Sequence, residues 1–359
     1  MSGPKMLVFS DVHLDAVTMG VPRYDELSAT LEEIKGIAFN HGCNSAVFNG
    51  DWCDPDTPRT LRCIERATEF AAGLKRDLGI ESYWVNGNHD VVEDGYGTSV
   101  LSPLSAIEGV EVVSGPDEFT QDGVSIAFLP YTARAKNYDP EKWAKIFEQE
   151  ARWVFGHLNL IDFVPGSETE EMPRGRDVIW PTKQLGNRCP QAKLIGGHYH
   201  GGTRFDGVEI IGSPGIFTFG EEGNSPRVGV LSLASGEIEW VALKNTYKFK
   251  TLSYPADGTP LEADVARCFV RLKHSKMLTE AEQVTIRERL ILDGACAVKL
   301  VLEVGEAAAP RARPRVEYNV ADGDGLARTL AKDWATADQE LSTAISALVE
   351  SCIGERVSS

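Results

Sequence analysis

The sequence predicts a layered α/β protein that carries a small α+β module and a terminal helix behind it. Three observations predict it. Short apolar runs alternate with amphipathic stretches over the first two-thirds of the chain, the pattern of internal strands joined by helices. From Val208 the pattern changes to successive strands separated by glycine-rich turns, and near Asn245 the composition shifts again. At 359 residues the chain is also too long for one ordinary core, so a principal domain with a smaller companion is expected.

Taken in order, Met6–Ser10, Ser45–Asn49, Ser82–Asn86, Ile126–Pro130, Trp153–Gly156 and Lys193–Gly196 read as buried strands, being short, apolar and bounded by polar or glycine residues. Tyr24–His41 reads as a helix because Leu27, Leu31 and Ile34 share one face, and Thr60–Leu78 follows the same rule. The runs VEIIG, RVGVLSL and GEIEWVAL read as a hairpin-rich second sheet that closes a sandwich. Residues 246–310 read as a compact module of a strand (Cys268–Leu272), a helix (Thr279–Leu292) and a strand (Ala297–Glu303). The connector EAAAPRARPR follows, then an amphipathic helix from about Gly325 to Cys352. Boundaries are therefore expected at 1–245, 246–310 and 311–359.

Composition narrows the function classes. With 42% hydrophobic and 25% charged residues the chain reads as globular, and no apolar run approaches a membrane span. The first residues already read as a strand, so no leader is expected and the cytoplasm is the expected location. The seven cysteines are scattered with no Cys-x-x-Cys pair, as befits reduced thiols filling a core. A net charge of −17 argues against loose wrapping of nucleic acid, although bound cations reverse the field locally. From Thr246 onward the charge is nearly balanced, so the acidity belongs to the first domain.

The chemistry-bearing residues fall where these strands end. Asp11 and His13 lie just past the first strand, Asp51 past the second, and Asn88, His89 and Asp90 past the third. His157 follows Gly156, and His198 and His200 flank Tyr199. In open α/β sheets that rim is where ligands collect. Five of the seven histidines belong to this set. Any one of these residues alone is a cap, a turn or a satisfied core group; placed together they form a mixed nitrogen and oxygen donor set of the kind that suits Mn, Fe or Zn. Four histidines, two carboxylates and an amide are too many for one ion and fit two, which clamp a phosphate when they stand about 3.5–4 Å apart.

The order SDVH, GDWCD, GNHD, GH and GHYH resembles the signature of calcineurin-like metallophosphoesterases over roughly residues 6–245. The resemblance implies a four-layer α/β/β/α sandwich with a dinuclear site at its rim. It implies that Asp11, His13 and His200 hold one ion, and that Asp51 bridges to a second held by Asn88, His157 and His198. His89 would face the phosphate, stabilising charge or protonating the leaving oxygen, with Asp90 orienting its ring. Asp54, close to the rim, is a candidate substrate contact and equally a loop-closing residue.

Within that superfamily, GDWCDPDTP and the stretch IIGSPGIFTFGEEGNSPRVGVLSL resemble SbcD-type double-strand-break repair nucleases and the recombination endonuclease subunit of tailed phages. That likeness implies a Mn²⁺-dependent DNA exonuclease and end-processing endonuclease, a homodimer, and an SMC-like ATPase partner of the SbcC type, in a cell or a phage-infected host. Residues 246–310 match the DNA-contacting cap of such subunits in size and order. Leu326, Leu330, Trp334, Leu341, Ile345 and Leu348 form a stripe fit for a partner groove or for the chain's own domain. Arg311, Arg313 and Arg315 are either a phosphate or partner contact or a solvated linker. Two rival functions stand beside this one: an enzyme of the same fold acting on a small nucleotide or a phosphoprotein, and a non-catalytic scaffold, which the intact ligand set disfavours.

Overall fold

The computed structural model describes residues 3–54, 61–91, 98–131, 151–160, 179–180, 192–205, 207–255 and 263–303. The connector, the Arg311, Arg313 and Arg315 cluster, and the helix expected from about Gly325 to Cys352 lie outside the described residues, as do Cys189 and Cys352. Residues through Glu303 make one compact unit.

In chain order the first sheet starts with β1 (Lys5–Phe9), β2 (Ser45–Phe48), β3 (Glu81–Val85) and β4 (Val110–Val113), successive parallel neighbours. The second sheet contributes β5 (Asp117–Gln121), β6 (Val124–Leu129), β7 (Trp153–Gly156), β8 (Lys193–Gly196), β9 (Thr203–Phe205) and β10 (Val208–Ile210). Its order is β9-β10-β8-β7-β6-β5, with β6, β7, β8 and β10 parallel and both edges antiparallel. Two further strands, β11 (Arg227–Ser232) and β12 (Ile238–Ala242), complete the first sheet as an antiparallel hairpin beside β1.

The reading of residues after Val208 as their own second sheet is therefore corrected. β10 belongs to the sheet of β8, while β11 and β12 return to the sheet of β1. The reason is that β1 would otherwise be left with an unpaired edge, and the hairpin covers it.

Two helices cover the outer face of the first sheet. The first, α1 (Tyr24–His41), buries Leu27, Leu31, Ile34 and Ala38, and ends where Gly42 takes a left-handed φ of 66° and donates to the carbonyls of Ala38 and Phe39. The second, α2 (Leu61–Leu78), buries Cys63, Ala67, Phe70, Ala71 and Leu74. These side chains meet Leu7, Phe9, Ala46, Phe48 and Trp84 from one face of β1, β2 and β3. The opposite face sends Met6, Val8, Val47, Tyr83 and Val85 against Ile126, Phe128, Trp153, Phe155 and Ile195 of the second sheet. Strict alternation in fully buried strands thus produces the α/β/β layering. The far face of the second sheet carries Ala127, Leu129, Val154, Leu194 and Ile210 in a separate core. The second helical layer that the resemblance implies lies outside the described residues.

An aromatic knot sits directly beneath the candidate rim. Trp84 is fully buried, with ring centroids 5.0 Å from Phe48, 5.3 Å from Trp52 and 6.5 Å from both Phe9 and Phe70. Its indole donates to the Ser82 hydroxyl at 3.0 Å. Trp84→Ala should therefore destabilise the chain by about 3–5 kcal/mol, read as a lowered denaturant midpoint.

The module expected from residue 246 holds three parallel strands, β13 (Lys248–Ser253), β14 (Cys268–His274) and β15 (Ala297–Leu302), one more than the sequence pattern indicates. The extra strand, KFKTLS, alternates charged and apolar residues too briefly to stand out. Its helix α3 (Glu280–Leu292) begins at a capping box in which Thr279 and Glu282 exchange hydrogen bonds. Among the described residues no helix is long and apolar enough to cross a membrane.

Candidate metal centre

Every described sheet strand that carries a candidate residue delivers it at the carboxyl end. The loop after β1 runs beside the loop after β2: the amides of Asp11, His13 and Leu14 donate to the carbonyls of Gly50, Asp51 and Trp52. Asp11, His13, Asp51 and His198 all hold positive φ angles, of 55°, 46°, 62° and 83°. Such backbone is costly for residues other than glycine and marks places where the surrounding structure imposes a side-chain direction. Here it turns four side chains inward to one point.

The glycines before these residues are required by close approach. A Cβ on Gly50 would meet the His157 imidazole, and one on Gly87 would meet the Asp51 carboxylate. The Gly-Asp and Gly-Asn pairings of the motif are therefore steric necessities of two loops packed backbone to side chain.

Two triads result. Ligand atoms of Asp11, His13 and His200 lie within 4.8 Å of one another, and so do those of Asp51, His157 and His198. Nε2 of His13 faces Nε2 of His200 at 3.0 Å. Asn88 stands at the second triad, its Oδ1 2.9 Å from His157 Nε2 and 3.0 Å from His198 Nδ1. Asp51 Oδ2 is 3.1 Å from His157 Nε2. Both Asp11 oxygens accept from the His198 amide, at 3.1 and 3.2 Å, which ties the two triads together.

The imidazoles are aimed by their second nitrogens. His13 Nδ1 lies 3.0 Å from the Cys53 carbonyl and His157 Nδ1 lies 2.8 Å from the Asn49 carbonyl. His200 Nδ1 lies 3.1 Å from Oε1 of Glu221. A histidine that donates one nitrogen to an acceptor presents the other as a lone pair, the form that ligates a metal. Asn49 also clamps the two sheets, its amide reaching the carbonyls of Gly156 and Ile195 at 2.9 and 3.3 Å. Sequence reasoning passed over Asn49 and Glu221. Glu221 had one signal: it is an acid in the glycine-rich stretch after the last histidine.

The electrostatics fit resident cations. Burial pushes Asp11 up to about 6, aided by the charge of Asp51. Burial also opposes ionisation of Asp51, yet His157 and His89 outweigh it and hold that carboxyl well below its ordinary range. Burial, then repulsion from His200, holds His13 well below its usual value; burial and His157 bring His198 down to about 3. His157 runs the other way: burial lowers it, but Asp51 and Asp11 raise it to about 9. Two acids, two imidazoles held neutral and a third whose charge the acids favour, all crowded in a dry site, form a donor set that divalent ions would complete.

The remaining sequence candidates divide. His89 is at the site: its amide donates to Asp51 Oδ1 at 2.9 Å, its ring lies 5.5 Å from that of His13, and its side chain is 13% exposed where that of His157 is fully covered. Asp90 has a task other than orienting the His89 ring. Its buried carboxylate accepts from the amides of Asp51, Trp52 and Gly87 at 2.8–2.9 Å and of Cys53 at 3.4 Å. It staples the loop after β2 to the loop after β3, because those amides have no strand partner and need a buried acceptor. Asp54 is half-buried at the end of the described part of the same loop.

The sequence pattern of the family described as calcineurin-like phosphoesterase matches residues 4–202. The chain is 24% identical over 281 residues to exonuclease subunit 1 of Enterobacteria phage T4, an alignment that covers 75% of this chain and 76% of that protein. Similar solved structures include a dimetal phosphatase from Danio rerio, at 14% identity and a TM-score of 0.43, covering 68% of this chain and 97% of that one. A structure from Thermus thermophilus is 12% identical with a TM-score of 0.43, covering 67% and 99%. The matched span exceeds half of the sequence and contains the loops that build both triads: the chain belongs to the calcineurin-like phosphoesterase family.

Proposed function

We propose that this protein is a metal-dependent DNA phosphodiesterase, the nuclease subunit of a repair or recombination complex, working with two Mn²⁺ ions. The observation that carries the metal-dependent part is the pair of ligand triads meeting at one strand-end rim with His89 beside them. The DNA part is supported by the likeness to a phage exonuclease subunit over three-quarters of the chain.

Asp11, His13 and His200 would hold one ion, and His157, His198 and Asn88 the other, with Asp51 shared between them. The ions, when bound, would supply positive charge to a phosphoryl group and acidity to water. The chain's own contribution is orientation. Backbone carbonyls and Glu221 fix the imidazole faces, Asp90 fixes the loops, and the Asp51 carboxylate fixes the His89 main chain. From there His89 reaches the open side of the site, where it would neutralise charge on the phosphate or protonate the departing 3′ oxygen. The acidic first domain is a poor DNA clamp on its own. A DNA-gripping ATPase partner of the SMC-like type, and pairing of two copies of this chain, would offset that.

The test offers the purified chain linear double-stranded DNA, single-stranded DNA and bis-p-nitrophenyl phosphate, each with Mn²⁺ and with excess chelator. The expected result is shortening of DNA that chelator abolishes. Turnover of the small diester with DNA untouched would move the reading to a small-substrate phosphodiesterase, unless a candidate ATPase restores cleavage of DNA. Absence of any metal-dependent turnover would sink both.

A further inference from the structure

We propose that Glu221 is a positioning residue for His200, and that the cap sets its position through the adjacent Glu222. The inference deepens the metal-centre reading and rests on it.

Three neighbouring contacts single out Glu221. It is 2% exposed, and its carboxylate is held from behind: Oε2 accepts from the Phe217 amide at 2.8 Å, and Oε1 accepts from the Thr218 hydroxyl at 3.2 Å. The same Oε1 meets His200 Nδ1 at 3.1 Å. Burial works against the Glu221 charge, and the His200 contact restores it, leaving the carboxyl below its ordinary value. His13 and His157 take their aim from backbone carbonyls of the catalytic loops themselves. His200 takes its aim from a side chain that belongs to a different segment.

That segment is shared with the cap. Glu222, next in sequence, accepts from the Thr251 amide at 2.7 Å and from the Thr251 hydroxyl at 2.5 Å. Arg271 joins them, donating to the Thr251 hydroxyl at 3.0 Å while its guanidinium lies 4.7 Å above the Phe219 ring. Phe219 also packs edge-on against Phe249 of β13 at 4.9 Å. At the near end of the segment, the Phe217 ring stands 5.2 Å from His13 and 5.4 Å from His200. The buried Arg23 guanidinium lies over the rings of Phe217 and of Tyr247 and Phe269 in the cap region, at 5.2–5.5 Å. The segment thus touches the metal centre through Phe217 and Glu221 and the cap through Phe219 and Glu222. A shift of the cap would carry the Glu221 carboxylate with it and re-aim His200 within the triad of Asp11 and His13.

The test measures Mn²⁺ binding, by isothermal titration into the chelator-stripped full chain. Glu221→Ala is expected to weaken one of two Mn²⁺ sites by about 10- to 100-fold, the range typical for losing the group that orients a metal-ligating histidine. Glu221→Gln keeps an acceptor oxygen and should recover most of that loss, whereas Glu221→Met, of similar size without an oxygen acceptor, should not; a purely steric role would be rescued by both. In a His157→Ala background, where the Asp11, His13 and His200 triad is the intact one, the weakening should persist. Glu222→Ala should weaken the same site, less strongly. Circular dichroism checks that each variant is folded, and if the alanine variant is not, Glu221→Gln against Glu221→Asp, which withdraws the carboxylate, carries the comparison. Two sites in the wild type with unchanged affinities in the Glu221 variants would overturn the inference alone. A wild type that binds no Mn²⁺ would overturn the metal-centre reading with it. Wild-type affinity in Glu222→Ala would remove the cap's part.

Discussion

Asp51→Asn is expected to lower turnover of bis-p-nitrophenyl phosphate by on the order of 10³-fold or more, while the fold survives. The size follows from where the charge sits. The Asp51 carboxylate is buried and holds two opposite partners, His157 Nε2 at 3.1 Å and the His89 amide at 2.9 Å. The surrounding histidines favour its charge against its burial. Asparagine keeps the shape and one acceptor oxygen but removes the charge that would offset two cations in a dry site. The substitution is mild on the backbone, because asparagine tolerates the left-handed φ of 62° that this position demands. An alanine would be a poorer probe for that reason. The check pairs kcat with Mn²⁺ stoichiometry: fewer than two ions and near-zero turnover in a chain with wild-type circular dichroism. Turnover within about tenfold of wild type would show that Asp51 is dispensable and that the shared-carboxylate assignment is wrong.

The site was legible in the sequence to an unusual degree, and its geometry explains why. Gly50 and Gly87 precede Asp51 and Asn88 because neighbouring side chains occupy the space a Cβ would need. The ligands come one loop at a time because parallel strands deliver their ends to the same rim. Both constraints fall on residues adjacent to the ligands in sequence, so they leave short, regular marks. What escaped leaves no mark beside its partner. Glu221 orients a histidine 21 residues before it, and an acid in a glycine-rich loop carries no periodicity that points to its partner. The resemblance implies that Asp90 orients the His89 ring, yet its carboxylate serves amides 37 to 39 residues earlier. The assignment of β11 and β12 to the sheet of β1 depended on which edge stood open, and alternation along a strand is silent about its neighbour. The edge strand β5, DEFTQ, is too polar to read as a strand; its pairing with β6 and the packing of Phe119 against Tyr83 and Phe128 hold it in place.

His89→Asn should separate binding from chemistry. His89 reaches the centre in two ways: its amide bonds Asp51 Oδ1, and its ring stands at the more open side of the site, Nε2 3.7 Å from Asp51 Oδ2 and 2.8 Å from the Asn88 amide nitrogen. The substitution leaves the main-chain bond in place, and the two triads contain no atom of His89. Both Mn²⁺ ions should therefore bind as in the wild type, whereas turnover of DNA should fall by about 10²- to 10⁴-fold, the usual contribution of a positioned proton donor. The leaving group sharpens the test. A p-nitrophenolate departs as a stabilised anion and needs little help from an acid, while the 3′ oxygen of DNA departs as a poor leaving group that must be protonated. The loss should accordingly be much larger on DNA than on bis-p-nitrophenyl phosphate. Equal losses on both would mean that His89 stabilises charge on the phosphate rather than giving up a proton. Full activity on both would remove it from the reaction, and the open side of the site would need another occupant to face the phosphate.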